Sequence, residues 1–144
     1  MQVMDYIARN ERPVPTIGSK ETIGALARYL QQQRVGAAVV SDDGRAIDGI
    51  ISERDIAYSL AERRGELHLL PVSALMTRRV ITCAPEDPLS KVLQLMRAHH
   101  IRHMPVRNSD GLVGLLSIRD LIQYRLDQIE KGAKLAMLLH ADAD

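Results

Sequence analysis

Apolar residues recur at helical spacing in two places: Ile23, Leu26, Ala27 and Leu30 after Ser19, and Leu89, Val92, Leu93 and Met96 after Asp87. A stripe at i, i+3, i+4, i+7 predicts an amphipathic helix in each place. The two stripes are 66 residues apart, as are the extended pieces before them, Val14-Pro15-Thr16 and Val80-Ile81-Thr82. Pro15 and Pro85 make those pieces sheet edges or turns. After each helix comes a β-rich run, Ala37–Ser41 and then His103–Arg107. Each run meets turn residues, Asp42-Asp43-Gly44 in one case and Asn108-Ser109-Asp110-Gly111 in the other, as a hairpin requires.

The closest self-match follows: Gly49-Ile50-Ile51-Ser52-Glu53-Arg54-Asp55 against Gly114-Leu115-Leu116-Ser117-Ile118-Arg119-Asp120, at an offset of 65. The one-residue change falls in the turn, where insertions are tolerated. Each motif opens a second helix, from Ile56 to about Arg63 and from Leu121 onward. Val72–Met76 resembles the opening Val3–Ile7 as a short lead-in helix, and Gly65–Leu70 joins the copies. Each copy therefore reads strand, helix, strand, strand, helix.

A repeat of about 65 residues cannot cover both faces of its own sheet. The fold predicted is α+β: two pseudo-twofold related β-α-β-β-α repeats, with packed three-stranded sheets, two equivalent clefts and a long C-terminal helix. The boundaries expected are 1–68 for the first repeat, 69–127 for the second and 128–144 for a helical extension. That extension carries apolar residues at roughly helical spacing, which favours packing on a second subunit, while Leu135, Met137, Leu138 and Leu139 form a patch suited to a client protein.

Composition narrows the function. Nineteen basic against 18 acidic residues give a net charge of +1, so no general pull toward nucleic acid or acidic membrane is expected. With no Phe, no Trp and four Tyr, stacking platforms for single strands are missing, and a bound base would lie between aliphatic side chains. No apolar run approaches the roughly 18 residues that span a bilayer. The lone Cys83 excludes an intrachain disulfide, and Asp5, Arg9, Glu11 and Arg12 stand where a signal peptide needs an apolar run, so a cytoplasmic protein is expected.

The chemistry sits in the duplicated motif. Unpaired amides at a helix start, aided by the helix dipole, form an anion site. Ser52 and Ser117 can donate a hydroxyl there, and Arg54 and Arg119 add a forked cation suited to phosphate oxygens. Asp55 and Asp120 only accept, which suits the paired hydroxyls of a ribose. Gly49 and Gly114 let the strand approach a neighbour or a ligand closely. Serine followed three residues later by an acid is also a capping box. Neither the arginine nor the glycine is needed for a cap, and both recur in both copies.

These residues resemble the tandem cystathionine-β-synthase (CBS) domain pair, or Bateman module, whose hallmark is glycine, two apolar residues, serine or threonine, two variable residues and aspartate. The likeness covers residues 1–127. It implies a disc-like pair of repeats, usually a homodimer, that binds AMP first among candidates including ADP, ATP, NAD and S-adenosylmethionine, with no metal. By that likeness one site gathers Ser117, Arg119, Asp120, Arg102 and His103 with Thr16, Gly18, Val35 and Gly36. The other gathers Ser52, Arg54, Asp55, Gly36 and Ala37 with Thr82, Ala84 and Ile101. Because Arg102-His103 adds positive character at the first, tighter and more phosphate-dependent binding is expected there.

His99, His100 and His103 do not make a metal site, because Pro105 and the strand break the helix that would align them. Neither a nucleophile elbow nor a phosphate loop occurs, so catalysis is not expected. Two further readings remain. One is a dimeric interaction scaffold with empty clefts, separable by calorimetry; the other is an enzyme acting on a nucleotide, separable by turnover. The client protein of a sensor is invisible in the sequence.

Overall fold

The computed structural model describes residues 1–63 and 65–141; the last three residues of the expected extension lie outside them. The elements are α1 (Val3–Arg9), β1 (Thr16–Ile17), α2 (Ile23–Gln33), β2 (Ala37–Val40), β3 (Gly49–Ser52), α3 (Glu53–Glu62), α4 (Leu89–His99), β4 (His103–Asn108), β5 (Gly111–Ser117) and α5 (Ile118–Ala141). Two 3₁₀ turns, Leu67–Leu69 and Val72–Ala74, precede α4. The second lead-in is thus a single 3₁₀ turn where the sequence suggests a helix, and α3 begins three residues before the predicted Ile56.

Both predicted amphipathic helices form, and both end alike. The Thr22 hydroxyl accepts the Ala25 amide at the start of α2, and α2 and α4 stop at left-handed residues, Arg34 (φ 56°) and His100 (φ 54°). The reversed backbone turns the next residues, Val35 and Ile101, back toward the helix, where their amides reach the Leu30 and Met96 carbonyls at 3.1 and 3.0 Å.

In the first repeat β2 is central, parallel to β1 and antiparallel to β3. The second repeat keeps the antiparallel pair β4–β5, but its third strand shrinks to one parallel bridge, Cys83 to Val106. This departs from the two three-stranded sheets expected, and one residue explains it. In the first sheet the Val39 amide donates to the Pro15 carbonyl at 2.9 Å. The equivalent position 66 residues on is Pro105, which has no N–H to give. The next bond survives in both copies: Ser41 donates to Ile17 at 3.0 Å and Arg107 to Cys83 at 2.9 Å.

Two apolar cores result, and each contains a piece that precedes the other repeat. Val3 and Tyr6 of α1 are buried with Cys83, Val92, Met96, Met104, Val106, Leu116 and Leu121. Val72 is buried with Ile17, Ile23, Leu26, Leu30, Ala38, Val40, Ile51 and Leu67. The exchange is symmetric in its hydrogen bonds. Val3 and Met4 donate to Asp87 and Pro85 while Val72 and Ser73 donate to Glu21 and Ser19, and Leu89 and Ile23 donate back to Met1 and Leu70. Ala37 and Val39, on the other face of β2 from that core, are also fully buried, so the sheet is covered on both faces.

Candidate functional site

Each motif strand ends where a helix begins. At α3 the Glu53 amide is taken by the Gly36 carbonyl at 2.9 Å, and at α5 the Ile118 amide by the Arg102 carbonyl at 2.8 Å. Both acceptors lie two residues after a left-handed helix end, so the repeat brings the close of one helix against the start of the next.

The glycines of the motif serve the neighbouring chain. A Cβ on Gly49 would meet the Met76 sulfur at 2.8 Å and the Thr77 carbonyl oxygen at 2.9 Å; one on Gly114 would meet Ile7 Cδ1 at 3.0 Å. In each case the crossing lead-in occupies the space. Thr77 also exchanges both backbone hydrogen bonds with Ile50, at 2.9 and 3.0 Å, adding an edge to the first sheet.

Asp55 is engaged in a capping box. Its Oδ2 accepts the Ser52 amide at 2.8 Å and the Ser52 hydroxyl at 3.1 Å, and its own amide donates to Ser52 Oγ at 3.3 Å. Among the described residues no hydrogen bond links Ser117 with Asp120. Asp55 is half-buried with one carboxylate oxygen left over, whereas Arg119 and Asp120 are exposed.

A cavity of about 190 Å³ opens at the start of α3. The first repeat contributes Gly36, Ile50, Ser52, Glu53, Arg54 and Asp55. From the second come Val80, Ile81, Ile101, Arg102 and His103, and Thr77, Arg79 and His100 complete the lining. It therefore spans both repeats, as expected for Asp55, and has an aliphatic wall of Ile50, Val80, Ile81 and Ile101. Its volume is below the roughly 300 Å³ of common ligand pockets, so a nucleotide must displace the arginine side chains at its mouth. A larger depression of about 630 Å³ lies over the connection between repeats, lined by Arg63, Gly65, Glu66, Leu69 and Leu70. It lacks a helix start and the paired hydroxyl and carboxylate.

Of the residues expected at the Asp55 site, Ser52, Arg54, Asp55, Gly36 and Ile101 line this cavity. Ala37 instead pairs with Ser52 in the sheet and is fully buried. Thr82 and Ala84 are half-buried outside the lining, where the Ala84 amide donates to Asp87 Oδ2 at 2.9 Å. The wall comes from Val80 and Ile81, just before them. Ile50 was legible from strand alternation, since its neighbour Ile51 faces the core; Thr77, Arg79 and His100 carry no such signal.

Arg102 and His103 require a correction. They were assigned to the Asp120 site, yet both line the Asp55 cavity, which removes the reason for expecting tighter binding at Asp120. Arg102 serves α5 through its backbone only as far as its carbonyl contact with Ile118 shows. His103 stands between the two sites. Its Cε1 lies 3.4 Å from where a Gly36 Cβ would be, and Glu53 Oε1 lies 3.3 Å from the same point. Burial lowers the His103 pKa, and Arg102 and Arg54 lower it further, against the opposing pull of Glu53 and Asp120.

For the Asp120 set, Ser117 pairs with His103 at the end of β5, and Gly36 meets His103. Thr16, Gly18 and Val35 have local partners: the Thr16 amide donates to the Tyr29 hydroxyl at 3.1 Å, and Gly18 lies against Asp42. The Ser19 amide and hydroxyl hold the Asp42 carboxyl below its ordinary pKa. Among the described residues no group of three or more His, Cys, Asp or Glu is placed to hold a metal ion, and no helix is long and apolar enough to cross a membrane.

Comparison with known proteins agrees with this geometry. The sequence profile of the CBS domain matches residues 3–62 and again 72–127. CBS domain-containing protein YhcV of Bacillus subtilis is 30% identical over 127 residues, covering 88% of this chain and 89% of that protein. The crystal structure of the CBS-domain containing protein ATU1752 from Agrobacterium tumefaciens superposes with a TM-score of 0.82 at 31% identity, covering 87% of this chain and 99% of that one. PAE2072 from Pyrobaculum aerophilum, a CBS domain protein complexed with AMP, gives a TM-score of 0.77 at 32% identity over 92% of this chain and 99% of that one.

Proposed function

The chain belongs to the CBS-domain family, with two copies of the repeat, and from that premise we propose that it is a regulatory module that binds an adenine nucleotide between the repeats. AMP is the first candidate, on the strength of the AMP complex of PAE2072. The module works as a homodimer in the cytoplasm, signals occupancy to a client protein and catalyses no reaction. Residues 1–68 and 69–127 act as the two binding halves, with 128–144 as an extension.

The observation that carries this reading is the Asp55 cavity, which joins a helix start in one repeat to an aliphatic wall in the other. The adenine lies against Ile50, Val80, Ile81 and Ile101, a ribose hydroxyl donates to the free Asp55 oxygen, and the phosphate faces the Arg54 amide with Arg54, Arg79 and Arg102 around it. Because Arg102 and His103 line this cavity, the Asp55 site fills first and the Asp120 site second. A ligand bridging the repeats shifts their arrangement only by its preference for one arrangement over another.

Calorimetry of the native protein with AMP, ATP and NAD tests the reading. Saturable heat with AMP, together with a raised melting temperature, supports it. No heat with any of the three, and no thermal protection, leaves the scaffold with empty clefts as the better account; release of a modified nucleotide on incubation makes the protein an enzyme.

A further inference from the structure

Helix α5 has two parts. Leu121 is buried, Tyr124 and Gln128 are half-buried, and the Tyr124 ring packs edge-on against Tyr6 with centroids 5.4 Å apart. Past Gln128, every side chain from Ile129 to His140 is exposed. That is 12 residues, about 18 Å of helix, near the length at which an isolated helix is marginal in water.

On the side turned away from Leu121 and Tyr124 runs a stripe of Ile122, Leu126, Ile129, Ala133 and Ala136. The spacing alternates four and three, which is the seam pattern of a coiled coil. Ile122, Leu126 and Ile129 are each more than half exposed, at 51%, 51% and 56%. The charges beside the stripe select its partner. With Leu126 and Ala133 at the a positions and Ile122, Ile129 and Ala136 at d, Arg125 flanks one edge and Glu130 the other. A parallel second copy brings Arg125 of each chain against Glu130 of the other, two pairs by symmetry. An antiparallel copy sets Arg125 on the edge that holds Gly132, where no acid faces it.

We infer that this face of α5 is the seam by which two copies of the chain pair in parallel and in register. The inference rests on the homodimer proposed above and names its contact surface. It places both discs on the outer sides of a central helix pair, since the seam faces away from the body that holds Leu121.

Single cysteines test it. In a parallel pair the Cα atoms of matching seam positions approach within disulfide range, so Leu126→Cys and Ile129→Cys each link to their own counterpart under mild oxidation. Lys131→Cys, on the outer side, does not link. The native Cys83 is buried and its thiol pushed up to about 12, so it stays silent. In sedimentation, Ile129→Asp weakens the dimer by about 30-fold or more, the loss of one buried anchor, while the body stays folded because Ile129 is exposed in the single chain. Equal linking at Lys131→Cys overturns the inference. So does a sedimenting dimer that links at neither seam position, which leaves the dimer standing but places it elsewhere. A monomer overturns the seam and the homodimer together, with nucleotide binding decided separately by calorimetry.

Discussion

The two motif copies have the same letters at their key positions and different wiring. In the first, Asp55 closes a capping box with Ser52 and faces a cavity. In the second, Asp120 is exposed, and among the described residues it takes no hydrogen bond from Ser117. The third-strand edge differs as well, because Pro105 withholds the amide that Val39 supplies. Duplication thus preserved a helix start in both halves and enclosed one of them. The cap and ligand readings of Ser-x-x-Asp are not rivals at Asp55, since one carboxylate oxygen serves the helix and the other is left for a hydroxyl.

The largest test of this contrast concerns the glycines. Gly49→Ala pushes a Cβ into the Thr77 backbone and should cost about 3 kcal/mol, whereas Gly114→Ala meets the movable tip of Ile7 and should cost about 1 kcal/mol. Denaturant midpoints of the two variants measure the gap, and equal shifts would mean that the lead-ins pack alike.

Next in size is ligand binding. Asp55→Ala should weaken AMP by about tenfold or more, the worth of a hydrogen bond to a charged group, and Asp120→Ala by less. A greater loss at Asp120 would reverse the order of the sites. The same pair separates cap from grip in the free protein. Asp55→Ala should lower stability by about 1 kcal/mol through the lost cap, and Asp120→Ala should leave it nearly unchanged.

The smallest effect is a slope with pH. The folded His103 has a pKa below its ordinary 6.5, so the folded state binds fewer protons than the unfolded one. Its contribution is present above pH 6.5 and is lost as pH falls through the folded value. His103→Asn should flatten stability across that window, read as melting temperature against pH. An unchanged slope would show that His103 is not held between the sites as described.

Much of this was legible in the chain. The stripes of α2 and α4, the 66-residue offset and the twin Ser-x-Arg-Asp starts place the helices, the sheets and the residues around Asp55, because period and duplication are properties of sequence alone. The misplacement of Arg102 and His103 has a physical cause. They sit beside the α5 start through backbone contacts, while the packing of the two halves decides where their side chains go. The shortened strand was readable in principle, since a proline aligned with Val39 cannot donate. The exchange of lead-ins was not readable, because Val3 and Val72 look equally fit for either core.

That exchange limits what either half can do alone. A protein made from one repeat would expose the slot that the missing lead-in fills, and its own lead-in would have nowhere to dock except a neighbour's slot. Such fragments should clasp one another in pairs, rebuilding from two short polypeptides the arrangement that the intact chain achieves by folding across itself.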